Sequence, residues 1–203
     1  MKIIILATAI TGSASAALVN GDFNDGNTDW NVFNAAGIFD YAGNASVPFE
    51  SHAAATWGSV VGWKLYSGVT QDIEVGTWAE GDTINFGAQA FVDSSLYADN
   101  IGYVALQFYD AKGYWSSSVN SANVDNSYMD GNVHDLVSSV TLNSMQASST
   151  RIEFAILFYR PDHENADIDS GTIIWDNAYA NVVPTPGALA LLGLAGLAGR
   201  RRR

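Results

Sequence analysis

The chain has no cysteine, only four prolines among its 203 residues, and only nine lysines and arginines against 21 acidic residues. Without cysteine it can form no disulfide, no thiol nucleophile and no thiolate metal site. Because acidic residues dominate, the protein carries a strong negative charge, which repels nucleic acids and anionic membrane surfaces. We therefore expect neither of them as a partner.

The first 16 residues have the composition of a processing segment. Lys2 is followed by an apolar run at 3–7 and by small residues at 13–16, which is the order found in secretory signal peptides. The alanines at the first and third positions of Ala14-Ser15-Ala16 fit the specificity of signal peptidase. We therefore predict cleavage before Ala17 and export of the protein.

The last 20 residues also differ from the rest of the chain. Pro184-Thr185-Pro186 is followed by an apolar run at 187–199 and by four arginines at 200–203. Between the two ends, residues 17–183 have the length of one domain, with four bases and all 21 acidic residues, a net charge near −17. Such a surface favours solubility outside the cell and offers carboxylates to divalent cations.

Short runs with a two-residue period predict β-strands in the central domain, because they combine this alternation with aromatic and β-branched residues. The runs lie at 83–90, 103–109, 151–159 and 172–179. The run at 151–159 places its four even-numbered apolar residues on one face. The run at 172–179 places Ile173, Trp175 and Tyr179 on one face.

Turn residues separate the predicted strands. They occur at Glu80-Gly81-Asp82, at 110–113 and at 169–171. Residues 146–150 are compatible with a turn or a short helix, and no segment of the domain has a long helical period. The pattern predicts an all-β protein with an antiparallel β-sandwich of the jelly-roll type, flanked by a signal peptide and a short C-terminal hydrophobic helix.

The segment from Val183 to the C-terminus resembles a PEP-CTERM sorting signal, in which a proline motif, an apolar stretch and an arginine cluster follow one another. It departs from that family at Thr185, where members usually carry glutamate. The resemblance implies recognition by an exosortase-type membrane protease and delivery to the envelope or exopolysaccharide of a Gram-negative-type bacterium. A helix over 187–199 would span about 20 Å, less than the roughly 30 Å of hydrocarbon, which predicts only transient membrane insertion.

Residues 18–182 resemble, more loosely, the galactose-binding-like jelly rolls that many carbohydrate-binding modules adopt. The resemblance implies a jelly-roll sandwich. Four segments carry it in the family's order: Leu18-Val19-Asn20-Gly21-Asp22-Phe23 with Trp30, the hairpin at 69–83, the strand and turn at 104–113, and the closing Trp175-Asp176-Asn177-Ala178.

The same resemblance implies a structural calcium ion. In that family an ion often ties the N-terminal strand to the last strand, and Asp22 and Asp176 stand at the matching places. Asn24 stands where the family often has glutamate, and Asn177 replaces a second aspartate. Calcium prefers six to eight oxygen ligands, so backbone carbonyls would have to supplement these side chains. Solvated strand ends without an ion are the alternative.

No catalytic signature is present. With 21 acidic residues, some pair of carboxylates always resembles a glycosidase pair, so such a pair indicates little. Asp162-His163-Glu164 lies in a polar segment that is typical of a loop. The three histidines do not have the spacing of metal ligands.

Aromatic residues in polar segments are the candidates for ligand binding, because flat rings stack on the apolar faces of sugars. We predict that Trp115 forms a sugar-stacking surface with Tyr114, joined by Trp57 and Tyr128; packing at a strand edge is the alternative. Four tryptophans beside predicted strands are expected in the core instead: Trp30, Trp63, Trp78 and Trp175.

Three functions remain compatible with the sequence. The first is a non-catalytic, exported surface or matrix protein that binds extracellular polysaccharide. The second is a secreted polysaccharide hydrolase or lyase, and the third is a purely structural surface protein. The absence of a catalytic signature favours the first and the third.

Overall fold

Eleven strands, one short helix and one 3₁₀ turn lie in the part of the chain that the computed structural model describes, which is residues 15–16, 18–58, 65–73, 78–97, 99–161 and 171–185. The helix α1 covers Ser144–Ala147 and the 3₁₀ turn covers Asn126–Tyr128. The strands are β1 (Ser15–Ala16), β2 (Asn31–Phe33), β3 (Ala36–Asp40), β4 (His52–Trp57), β5 (Tyr66–Asp72), β6 (Thr83–Ser94), β7 (Ile101–Tyr109), β8 (Trp115–Asn120), β9 (His134–Thr141), β10 (Arg151–Tyr159) and β11 (Thr172–Val183).

The strands form two antiparallel sheets. Sheet A has the order β3-β4-β11-β6-β9, and β1 pairs with the end of β11. Sheet B has the order β2-β5-β10-β7-β8. Apart from the hairpins β3–β4 and β7–β8, neighbouring strands in each sheet are not consecutive in the chain, as in a jelly roll. The predicted antiparallel sandwich is therefore confirmed.

The core lies between the two sheets and is built from alternating positions. In β10 the side chains of Ile152, Phe154, Ile156 and Phe158 are completely buried, as their two-residue period predicts. Trp175 of β11 is also completely buried, and its indole Nε1 donates a hydrogen bond to Thr56 Oγ1 at 2.8 Å. The odd-numbered side chains of β10 consequently face away from the core.

The predicted orientation of one side chain, that of Tyr179, is wrong. Tyr179 was expected to share the buried face of β11 with Ile173 and Trp175, but the register shifts between Asp176 and Tyr179. Asn177 takes a positive φ of 50°, an unusual value for a residue other than glycine. This β-bulge inserts one extra residue, so Ala178 and not Asn177 faces the core and Tyr179 faces outward.

The predicted turns follow from local hydrogen bonding. Asp110 Oδ1 accepts hydrogen bonds from the backbone N–H groups of Lys112 and Tyr114, which closes the β7–β8 hairpin. The turn at Glu80-Gly81-Asp82 uses a glycine with a φ of 91°. The segment at 146–150 contributes to a short helix, α1, which begins with a capping box between Asn143 and Gln146.

The N-terminal segment joins the two sheets. The buried side chain of Gln71 on β5 accepts a hydrogen bond from Val19 N at 2.7 Å and donates one to Val19 O at 2.8 Å. On the other sheet, Ala178 N donates to Gly21 O at 2.7 Å. Residues 18–21 are thereby held at the seam between the sheets.

The predicted signal peptide and sorting tail lie mostly outside the described residues. Ser15–Ala16 pair with β11, and at the other end Thr185 N donates to Asp82 Oδ1 at 2.8 Å. Residues 1–14 and 186–203 are not described, nor are Trp63 and Asp162-His163-Glu164. No helix in the described part is long and apolar enough to span a membrane. Processing at both ends stays a prediction.

Candidate functional site

A groove of about 480 Å³ crosses the outer face of sheet B. Its walls are formed by side chains that point away from the core on all five strands. Its lining residues are Asn31, Phe33, Tyr66, Thr70, Tyr103, Gln107, Tyr109, Trp115, Ser118, Arg151, Glu153 and Leu157.

The floor beneath this groove is a row of residues on the outer face of the sheet, and the two alanines at its centre, Ala105 and Ala155, are completely buried by neighbouring side chains. The strand register places Asn31 beside Thr70, Thr70 beside Ala155, Ala155 beside Ala105, and Ala105 beside Asn120. This row crosses all five strands at right angles to them. Because neighbouring strands lie about 4.8 Å apart, the row is roughly 19 Å long. The floor is thus long enough for an extended ligand of several units.

Aromatic rings form the wall on one side of the floor. Phe33 and Tyr103 occupy the next outward row, and the Tyr66 ring lies beyond them with its centroid 5.0 Å from that of Tyr159. Burial raises the pKa of the Tyr103 hydroxyl far above its usual value, and the neighbouring Tyr66 raises it further. Tyr103 therefore offers a neutral hydroxyl group beside the flat ring faces of this wall.

Charged and polar groups form the opposite wall. The Arg151 guanidinium lies over the Tyr109 ring, with Cζ 3.8 Å from the ring centroid. The Tyr109 hydroxyl lies 2.8 Å from Gln107 Oε1 and 2.9 Å from Glu153 Oε1. Burial, followed by the hydrogen bond to Glu153, raises the pKa of Tyr109. These contacts fix the side chains of this wall before any ligand arrives.

Arg151 is also paired with two carboxylates. Its Nη2 lies 3.4 Å from Glu153 Oε2 and its Nε lies 3.4 Å from Asp72 Oδ1. A second depression of about 470 Å³ shares Arg151 and Glu153 and extends past Asp72 to Val19 and Asp29. The groove therefore continues towards the N-terminal seam, with acidic groups along that end.

Trp115 is the predicted site residue that lines the groove. It is the first residue of β8, pairs in register with Tyr109, and is 59% exposed. Tyr114 precedes it in the hairpin turn and is 68% exposed, but it is not among the lining residues. An exposed tryptophan beside the Arg151–Tyr109 pair extends the flat surface of that wall.

The structure does not bring Trp57 and Tyr128 to this groove, which corrects the prediction of one surface with four aromatics. Trp57 ends β4 of sheet A, where it is half-buried and its ring centroid is 6.3 Å from that of Phe39. Its segment is a strand and not a loop. Tyr128 packs against the core from the 3₁₀ turn, with its ring centroid 4.8 Å from that of His134.

The candidate metal ligands lie at the seam between the N-terminal segment and β11. Asp176 is buried, and burial together with the nearby Asp22 carboxylate raises its pKa to about 6. Asn24 donates its side-chain amide to Asp22 Oδ2 at 2.8 Å, so its nitrogen is turned towards the carboxylate. No group of three histidine, cysteine or acidic residues that could hold a metal occurs in the described part of the chain.

Sequence analysis missed most of the groove, although its signal was present. In 103–109 the core takes Val104, Leu106 and Phe108, which leaves Tyr103 and Tyr109 to the outer face. Aromatic residues on both faces of one strand indicate that the solvent side has a use of its own. The partners from β2, β5 and β10 could not be assigned without the sheet order.

No protein-family model and no curated protein matches the chain, but solved structures do. The cyclase Fisc from Fischerella sp. TAU matches with a TM-score of 0.59 and 11% identity, covering 85% of this chain and 100% of that one. The CBM22-1 xylan-binding domain of Paenibacillus barcinonensis Xyn10C matches with a TM-score of 0.51 and 11% identity, covering 85% and 97%.

A third match is the enzymatically active domain of tailspike protein 4 from bacteriophage CBA120. Its TM-score is 0.55 and its identity 13%, covering 83% of this chain and 21% of that one. The present chain thus spans about a fifth of the tailspike chain. Binding domains and enzymes share this fold, so the likeness establishes the jelly roll and leaves the function to the site.

Proposed function

We propose that the protein binds polysaccharide, without catalysis, in the groove on the outer face of sheet B. One observation carries this proposal. A floor of small residues crosses five strands between a wall of tyrosine and phenylalanine rings and a wall built from Arg151, Tyr109 and Trp115. Flat rings with hydroxyl, amide and carboxylate groups close by are the groups that recognise sugars.

The shape of the groove favours a chain over a single sugar. It has lining residues on all five strands and so spans roughly 19 Å, which accommodates several consecutive sugar rings. The structural neighbour from Paenibacillus barcinonensis Xyn10C is a xylan-binding domain of the same fold. Xylan is therefore the first polymer to test.

The charges around the groove favour a neutral polymer. Arg151 is the cation of this wall, and it is already paired with Asp72 and Glu153. An acidic polysaccharide would have to compete with these carboxylates and approach a domain with a net charge near −17. Neutral hydroxyl-bearing chains avoid both costs.

The same ion pairs favour binding over hydrolysis. A glycosidase needs one carboxyl group set in apolar surroundings so that it holds its proton. Glu153, which lines the groove, and Asp72, which lines the adjoining depression, are both paired with Arg151 instead. A tailspike enzyme domain and cyclases of the same fold make hydrolysis or another catalysis the alternative function.

The proposed setting is the cell envelope or the exopolysaccharide outside it. It is supported by the signal-peptide pattern, by the acidic surface, and by the resemblance of residues 183–203 to a PEP-CTERM sorting signal. In this setting an exosortase-type protease processes the tail after its transient membrane insertion.

We also propose that calcium ties the N-terminal segment to β11. Asp22 and Asp176 fit a cation, because the two carboxylates lie close together: the pKa of Asp176 is raised mainly by burial and further by the charge of Asp22. Backbone carbonyls and water would complete the coordination, and Asn24 would join only after its amide turned over. The ion would hold the seam next to the groove.

A binding screen with matched variants tests the groove. The full-length chain is applied to immobilised xylan, cellulose and an acidic polysaccharide, each with and without calcium. Trp115→Ala should weaken binding to the preferred neutral polymer at least about tenfold, while its free energy of unfolding changes by less than about 1 kcal/mol.

Tyr114→Ala is the control, because Tyr114 is as exposed as Trp115 and is adjacent to it but does not line the groove. It should bind as the wild type does. Absence of binding to every polymer, or equal losses in the two variants, would contradict the proposal. Product release from a bound polymer would establish the enzymatic alternative.

A further inference from the structure

The outer face of sheet A carries another, smaller depression of about 350 Å³. It is far from the groove, because the core lies between them. It is lined on β11 by Asn177 and Tyr179, on β6 by Gln89, and on β9 by Asp135 and Val137. The loop that covers the other half of this face, around Val47 and Phe49, does not line it. The depression is thus open to a ligand.

The β-bulge of β11 creates this depression. If the same sequence formed a regular strand without the bulge, Tyr179 would point into the core with Trp175. Asn177 keeps a positive φ of 50°, which disfavours a residue other than glycine. Bulges of this kind redirect side chains next to binding sites. The chain accepts local strain here, and its effect is to place an aromatic ring on the outer surface.

Gly87 on β6 allows the Tyr179 ring to lie against the sheet. A Cβ at Gly87 would come within 2.9 Å of both Tyr179 Cε1 and Oη, and within 2.1 Å of Leu136 O. The ring therefore extends from β11 over β6. Tyr179 and Asp135 of β9 line the same depression, and the pKa of Tyr179 is raised by burial and then by the charge of Asp135. The result is a flat ring lying across the sheet.

A row of polar side chains lies beside the ring. Asn177 Nδ2 donates to Gln89 Oε1 at 2.8 Å, and Gln89 Nε2 donates to Asp135 Oδ1 at 3.0 Å. These bonds orient the three side chains and leave the Asn177 carbonyl and the second Asp135 oxygen as acceptors for ligand hydroxyls. On the far side, Val137 is 68% exposed and adds an apolar edge. Ring, amides and carboxylate together match a sugar unit.

We propose that Tyr179, Gln89, Asn177 and Asp135 form a second sugar-binding site, so that one domain binds two polysaccharide chains at once. The choice of polymer rests on the proposed function of the groove, but the site itself rests on its own residues. A straight chain in the groove cannot reach the opposite face, because both sheets and the core separate the two sites. The protein therefore cross-links polysaccharide, which suits a component of an extracellular matrix.

A two-layer capture experiment tests this site. The full-length chain is first bound to xylan-coated beads, and fluorescent soluble xylan is then added. The wild type should retain the soluble polymer on the beads. Tyr179→Ala should still bind the beads but retain at least about fivefold less soluble polymer. Tyr179→Phe keeps the ring and should behave as the wild type.

Ser139→Ala is the matched control, since Ser139 is exposed on the same outward face of β9 but does not line the depression. It should retain at least half of the soluble polymer that the wild type retains. Circular dichroism and urea unfolding confirm that each variant is folded. Gln89→Ala should lower retention as Tyr179→Ala does, which separates ligand contact from a loss of packing by the ring.

The groove variant Trp115→Ala separates the failure of this proposal from the failure of the groove. If Trp115→Ala still binds some xylan, and the double variant Trp115→Ala/Tyr179→Ala does not, the second site is supported. This holds whether or not the groove binds. Bridging that is equal in the wild type and Tyr179→Ala overturns it. A second outcome also overturns it. In that outcome the wild type retains no soluble polymer, Trp115→Ala loses all binding to the beads, and Tyr179→Ala binds the beads as the wild type does.

Discussion

Outward-facing alanines lie on the outer faces of both sheets, but different groups cover them on the two faces. On sheet A, Ala53 and Ala55 of β4 face outward and are covered by Val47 and Phe49 from the chain's own loop. On sheet B, Ala105 and Ala155 face outward and are completely buried by side chains of the same sheet, those of Phe33, Tyr103 and Leu157, and the groove remains above them. One face is therefore closed by the chain's own loop, whereas the other is left open to a ligand.

The covered face of sheet A should depend on its loop for stability. Phe49 is 5% exposed and packs on the outer side of sheet A with Phe91 and Ile174. Phe49→Ala should lower the free energy of unfolding by about 3–5 kcal/mol, because it leaves a cavity over the alanines. Urea unfolding measures the loss, and xylan binding per folded molecule should stay unchanged. A loss below about 1 kcal/mol would show that the loop does not belong to the core.

Adding bulk to each face sharpens the comparison. Ala53→Leu should destabilise by about 1–3 kcal/mol, because Val47 and Phe49 leave no room above it. Ser118→Leu should change the free energy of unfolding by less than about 1 kcal/mol, because Ser118 is exposed and lines the groove, so the larger side chain enters open space. Equal costs in urea unfolding would mean that both faces are packed alike.

The stability that Asp176 contributes at the seam between the sheets should depend on pH and on calcium. With a folded pKa of about 6 against an ordinary value of 3.8, Asp176 favours the folded state most below about pH 4, and this contribution is lost as the pH rises through 6. In chelator at pH 8, Asp176→Asn should therefore stabilise the protein by about 1–2 kcal/mol after allowance for solvent screening. At pH 4 it should have little effect.

In chelator at pH 8, Asp176→Asn should be more stable than the wild type, and calcium should reverse this order of stability. It should raise the melting temperature of the wild type, because an ion that binds only the folded state stabilises it. Asp176→Asn should show no such gain. Identical melting curves in calcium and in chelator for the wild type would remove the calcium proposal but leave the pH effect in place.

The sequence predicted the fold better than the site, for physical reasons. The predicted strand at 151–159 matches β10, and the buried Trp30 and Trp175 were expected in the core. Strand period is a local property, so it can be read from neighbouring residues. A bulge depends on pairing with a distant strand, and for that reason the facing of Tyr179 was predicted wrongly.

Predicting the groove requires the order of the strands in the sheet even more than predicting the bulge does. Its walls combine residues from five strands, and Arg151 meets Tyr109 only because β10 lies beside β7. Trp115 was found because an exposed ring in a polar segment is unusual in itself. Trp57 was misplaced because its Ala- and Gly-rich segment looked like a loop, whereas those alanines form the floor under a covering loop.

The most direct test of the groove is the affinity of Ser118→Leu for the neutral polysaccharide that the wild type prefers. Ser118 is exposed and lines the groove on β8, beside Gln107, so a larger side chain there occupies part of the space of the ligand. We predict at least about tenfold weaker binding, measured by titration calorimetry, with an unchanged urea midpoint. Wild-type affinity in this variant would contradict the assignment of the groove as the polysaccharide-binding site.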